Sequence, residues 1–103
     1  DPAALTRALE IAQPFAKAND PILLDTLGWA YFRNTDVASA VRTLERAVAL
    51  NGADPLLQYH LGKAYAAAGN AVGARQHLKL AVEKGSGQPF AADARSTLAK
   101  LGG

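Results

Sequence analysis

Between residues 37 and 48 apolar side chains recur at helical period: Val37, Ala40, Val41, Leu44, Ala47 and Val48 fall on one face, with Arg42, Glu45 and Arg46 opposite. The pattern predicts an amphipathic helix with its apolar stripe against a core. It is not unique in the chain. Leu27, Gly28, Ala30, Tyr31, Ala40, Leu44, Ala47 and Val48 return as Leu61, Gly62, Ala64, Tyr65, Ala74, Leu78, Ala81 and Val82, all at an offset of 34 residues. Asp20-Pro21-Ile22-Leu23 is answered at the same offset by Asp54-Pro55-Leu56-Leu57, and Pro89 opens a third apolar segment that stops after half a unit. Repetition at this period sets the architecture.

Each unit reads as two antiparallel helices. Asp20 and Asp54 are N-cap residues, and Pro21 and Pro55 stand at the first helical position, where a missing N–H is harmless and the fixed φ suits a helix. First helices are predicted over 21–33 and 55–68, and turns at Asn34-Thr35-Asp36 and Gly69-Asn70. Second helices, capped by Asp36 and Asn70, end near Asn51-Gly52 and Lys84-Gly85. Gly28 and Gly62 lie inside helices, where glycine costs about 1 kcal/mol relative to alanine. Ala40 and Ala74 answer them where the return helix crosses, with Tyr31 and Tyr65 wedged beside the crossing.

The ends extend the repeat. Leu5, Leu9 and Ala12 match Ala40, Leu44 and Ala47 at an offset of 35, so residues 1–19 read as the second helix of a partial preceding unit, kinked or shortened by Pro14. Ala91, Ala92, Ala94, Leu98 and Leu101 are expected to cover the last unit, with Asp93, Arg95, Lys100, Gly102 and Gly103 toward solvent. The expected organisation is one domain, 1–103: the partial unit 1–19, complete units 21–54 and 55–88, and a capping helix 89–101.

Composition narrows the class further. A chain of 103 residues, half of them hydrophobic and 23 of them alanine, suits one small all-α domain of closely packed helices. A net charge of +2 without any block of like charge argues against nucleic acid or an anionic membrane as partner. There is no cysteine, and no apolar run approaches membrane-spanning length, so direct membrane insertion is not expected. The opening Asp1-Pro2-Ala3-Ala4-Leu5 looks like a helix begun in mid-architecture, as in a fragment of something longer, with the C-terminal end of a solenoid at its other end. No targeting segment is present, which leaves cytoplasm and periplasm both open.

The Leu-Gly, Tyr, small residue, large apolar residue and Ala of each unit resemble the tetratricopeptide repeat family. The resemblance spans Pro21–Asp54, Pro55–Gln88 and the opening helix from Pro89 to about Lys100. It implies a right-handed α-solenoid of antiparallel helix pairs, about six helices in all. Three positions depart from the family pattern: its Trp near the start of the first helix is Leu24 and Gln58, its turn Gly is Thr35 in the first unit, and its closing Pro is Gly52 and Ser86. Leu24-Asp25-Thr26-Leu27-Gly28-Trp29-Ala30-Tyr31 also looks like large bacterial multi-repeat members linked to the cell envelope and to exopolysaccharide or protein-sorting systems.

The resemblance further implies a non-catalytic scaffold that binds a protein or peptide segment on the concave face lined by the first helices. The alignment selects Ile22, Asp25, Trp29, Phe32 and Arg33, then Leu56, Tyr59, Lys63, Ala66 and Ala67, then Phe90, Asp93 and Thr97. Some family members hold acidic C-terminal tails in a two-carboxylate clamp of Lys and Asn; here Asp25, Trp29, Tyr59 and Lys63 stand in its place and argue against it. A pocket of Trp29, Tyr59, Arg33 and Lys63 suits an extended or helical segment with one apolar anchor and one acidic side chain. The alternative is a structural C-terminal end-cap, or a segment that self-associates through residues 1–19, of a longer protein whose binding site lies upstream. No catalytic constellation is present. His60 and His77 lack Cys or Glu at metal-ligand spacing and read as partly exposed helix residues, and Gly85-Ser86-Gly87 reads as a helix-ending loop. Neither metal nor cofactor is expected.

Overall fold

The computed structural model describes residues 1–102 as helices and short turns, in the order α1 (Pro2–Ala12), a 3-10 turn (Gln13–Lys17), α2 (Pro21–Arg33), α3 (Val37–Leu50), α4 (Pro55–Ala67), α5 (Ala71–Lys84) and α6 (Ala91–Lys100). Among the described residues there is no strand, and no helix is long and apolar enough to cross a membrane. The expectation for Gly103 lies outside these residues.

Local chemistry sets the boundaries. Asp20 accepts from the amides of Ile22 and Leu23, Asp54 from Leu56, Asp36 from Ser39 and Asn70 from Gly73, so every helix from α2 to α5 has a side-chain cap. At the position equivalent to Asp20 and Asp54 the third unit carries Gln88. The α6 helix has no side-chain cap and starts at Ala91, past Pro89. Pro14 ends α1, and the chain tightens there into 3-10 geometry.

The α2/α3 and α4/α5 hairpins stack, and the core runs between them as small clusters. Ala40 and Leu44 pack with Leu61 and Ala64. Leu24 and Ala47 pack with Leu57, while Ala74 and Leu78 pack with Ala94. The α1 helix is tied to the α2/α3 turn by Asn34, whose Nδ2 donates to the carbonyls of Leu5 and Ala30, each at 2.9 Å. Ala92, expected to cover the last unit, is exposed; Ala91 and Ala94 bury that face.

Both turns pass through the left-handed region at the same position of the unit, with different residues there. Gly69 has φ +82° in the second unit, and Thr35 is held at φ 65° in the first. A β-branched residue is strained in that left-handed region, and glycine is not. Thr35→Gly is therefore expected to raise stability by about 0.5–1 kcal/mol, read as a higher urea midpoint with an unchanged slope.

In the second unit Gln58 fills the place of Leu24 and is only 4% exposed. Its Nε2 donates to the Gly52 carbonyl at 2.8 Å, and its Oε1 faces His77 Nδ1 at 2.5 Å. A carbonyl only accepts, so the amide orientation is fixed, and His77 must carry its proton on Nδ1. Burial holds the His77 imidazole below its ordinary value of 6.5, partly opposed by the nearby Glu45 carboxylate. Its folded-state pKa is depressed, so below 6.5 the unfolded chain binds more protons. Stability from this group is present above 6.5 and is lost as pH falls through the folded-state value. The urea midpoint is expected to drop between about pH 7.5 and pH 5.5, and to drop less in His77→Asn.

Candidate functional site

Successive first helices lie side by side, so residues about 34 apart become neighbours. Tyr59 Oη donates to Asp93 Oδ2 at 2.6 Å, and Lys63 Nζ donates to Thr97 Oγ1 at 3.0 Å. Lys63 Nζ also pairs with Asp93 Oδ2 at 2.9 Å. The Tyr59 hydroxyl and then the Lys63 ammonium hold the Asp93 carboxyl below its ordinary value. Burial, reinforced by Asp93, pushes the Tyr59 hydroxyl well above its own, so Tyr59 is a neutral donor.

Beside these contacts runs an aromatic row. Phe32 stacks on Trp29 with ring centroids 4.6 Å apart, and the other side of the row is His60, 4.0 Å from Trp29 and inclined by 18°. Tyr59 lies 6.2 Å from Trp29 and stacks on Phe90 at 5.1 Å. Phe90 is held in place by an absent side chain: a Cβ on buried Gly85 would come within 2.7 Å of the Phe90 ring and 3.0 Å of Pro55. The helix-ending loop at Gly85 therefore seats a wall of the site.

The row borders a groove of about 640 Å³ lined by Trp29, Asp54, Pro55, Leu56, Tyr59, His60, Gln88, Pro89 and Phe90. Of the residues selected from the sequence, Trp29, Leu56, Tyr59 and Phe90 line it directly. Phe32 braces Trp29, and Lys63, Asp93 and Thr97 form the polar cluster beside Tyr59. The remainder lie elsewhere. Ile22 is exposed on the first turn of α2, and Ala67 is exposed at the end of α4. Arg33 borders a separate hollow with Asp1, Pro2, Leu5, Thr6, Asn34 and Thr35. Ala66 packs against the Ala74–Leu78–Ala94 cluster. Asp25 is 6% exposed, and its Oδ1 sits 2.7 Å from His60 Nδ1.

Two expectations are corrected by this arrangement. The pocket of Trp29, Tyr59, Arg33 and Lys63 with a cation for an acidic partner does not form, because Arg33 is turned toward α1 and Lys63 is neutralised by Asp93. His60 is buried at 9% exposure and bonded to Asp25. The signal for His60 was present in the sequence: an acid and an imidazole 35 residues apart sit nearly one repeat period from each other. Among the described residues, no cluster of His, Cys, Asp or Glu could hold a metal ion.

Stacked helix pairs with a groove across their first helices define a helical-repeat solenoid. The Tetratricopeptide repeat model matches residues 26–89, well over half of the chain, and the protein belongs to that family, whose members mediate protein interactions. Solved structures are similar in fold. The crystal structure of PcrH in complex with the chaperone binding region of PopD matches with a TM-score of 0.81 at 18% identity, covering 97% of this chain and 80% of that one. The Yersinia enterocolitica type III secretion chaperone SycD, in complex with a peptide of the translocator YopD, matches with a TM-score of 0.81 at 17% identity, covering 97% and 81%. No curated protein matches the sequence.

Proposed function

We propose that the groove over α2, α4 and the start of α6 binds an extended segment of a partner protein, and that the chain acts as a non-catalytic scaffold. The observation that carries this reading is the aromatic row from Phe32 to Phe90, which spans three successive units beside an open, largely apolar groove. Trp and Tyr in such settings are frequent anchors of binding energy. Support comes also from the two similar structures, each of which holds a segment of another protein. The charged groups beside the groove are already engaged within the fold, Lys63 with Asp93 and the Asp25 carboxylate with His60 Nδ1. The segment that fits has apolar side chains at its anchor points and no requirement for a central acid. A catalytic role has no support, since each histidine is engaged at Nδ1 in packing the helices.

The test uses peptides selected from a random-sequence display library against the immobilised protein. Trp29→Ala is expected to weaken their binding by about 30-fold or more with the helical circular dichroism unchanged. Binding that survives in this variant removes the groove from the account.

A second reading, self-association through residues 1–19, is favoured by Ile11, which is 65% exposed on α1. Sedimentation equilibrium distinguishes the two: a mass that rises with concentration and returns to the monomer in Ile11→Glu supports self-association.

A further inference from the structure

The apolar floor of the groove contains one polar group whose role in the fold is incomplete. His60 lines the groove, yet its Nδ1 is directed to Asp25 at 2.7 Å. Among the described residues no protein group bonds to its other nitrogen, Nε2, and that atom is not one of the buried polar atoms left without a partner. It therefore retains accessible surface. Of the other polar side chains lining the groove, Tyr59 Oη donates to Asp93, Asp54 Oδ1 caps α4 through the Leu56 amide, and Gln88 is exposed.

A carboxylate accepts and does not donate, so the proton between His60 and Asp25 belongs to Nδ1. In the neutral ring this leaves the lone pair on Nε2, and the stacked Trp29 ring fixes the imidazole plane. A segment laid in extended form over an apolar floor brings backbone N–H groups out of water, and each one buried needs an acceptor. We propose that His60 Nε2 is that acceptor. It takes a hydrogen bond from one backbone N–H of the bound segment, and Asp25 acts as the positioning residue that sets the tautomer and the ring orientation. This inference rests on the groove being the binding site and adds the atom that fixes the register of the segment within it.

The experiment uses the whole chain, at about pH 8, above the ordinary imidazole range, with a peptide selected from the random display library as the probe. Imidazole nitrogen NMR of the wild-type protein should show the Nε2 resonance of His60 moving on peptide addition while Nδ1 stays in place. A scan replacing each peptide N–H by an ester oxygen should find one position that costs about five- to tenfold in affinity. In Asp25→Leu/His60→Phe, which keeps a ring under Trp29 and strands no buried charge, the same ester should cost nothing relative to its amide parent. An unmoved Nε2, with backbone amide shifts still placing the peptide on Trp29 and Tyr59, overturns this proposal and leaves the groove reading standing. Amide shifts confined to other surfaces overturn both.

Discussion

His60→Ala is expected to destabilise the fold by roughly 3 kcal/mol, and Asp25→Ala by a comparable amount, because each strands the other group in a nearly dry site. The pair is enclosed, with side-chain exposures of 11% for His60 and 9% for Asp25 at an Nδ1–Oδ1 distance of 2.7 Å. The magnitude reflects the group left unpaired, the Asp25 carboxylate in one variant and the His60 Nδ1–H in the other, and not the strength of the pair. Asp25→Leu/His60→Phe removes both members together and is expected to unfold within about 1 kcal/mol of the wild type. Urea unfolding of the wild type and the three variants provides the measurement. Single variants that each lose less than about 1 kcal/mol would show the site to be wetter than its exposure indicates.

Gly62→Ala is expected to cost about 2–3 kcal/mol, against the usual gain of about 1 kcal/mol for this substitution within a helix. The sign is set by α5. A Cβ at position 62 would lie 2.7 Å from Leu78 Cγ, 2.8 Å from its Cδ2 and 3.1 Å from its backbone nitrogen. The branch point of a buried leucine and the backbone behind it have little room to retreat, so the α4/α5 crossing must open. Gly28 meets Leu44 side-chain atoms at 2.6 Å, but the Leu44 backbone nitrogen is further away, at 3.4 Å. Gly28→Ala therefore has the same sign and a smaller magnitude. An increase in the unfolding midpoint of Gly62→Ala would contradict the close crossing.

The parts of this fold legible in the sequence are those encoded locally and then repeated. Asp20-Pro21 and Asp54-Pro55 announce helix starts through capping chemistry that needs no tertiary context, and both aspartates accept the expected amides. Gly28 and Gly62 announce close crossings, but the residues that approach them most closely are Leu44 and Leu78, one turn beyond the expected Ala40 and Ala74. Trp29, Tyr59 and Phe90 were selected because the repeat alignment puts each of them on the inner face of its own first helix, although they occupy different positions of the unit.

Pairing between helices was harder to read. Lys63 aligns with Thr97 in the repeat but also reaches Asp93, 30 residues away, because a long flexible side chain spans the turn between the two positions. A cation that looked free along the sequence is satisfied in space. His60 and Asp25 meet at 35 residues, so strict alignment pairs neither with the other. The start of α6 depended on one missing cap, Gln88 where the earlier units carry aspartate. These features arise from side-chain reach and the offset between neighbouring helices, which a one-dimensional period does not contain.

The central claim, that this solenoid binds an extended segment in its first-helix groove, is tested most directly by amide and indole NMR of the isotope-labelled chain titrated with a library-selected peptide. The account predicts perturbations centred on the Trp29 indole, Tyr59, His60 and Phe90, which vanish in Trp29→Ala. Perturbations confined to residues 1–19, or to the outer faces of α3 and α5, would contradict it.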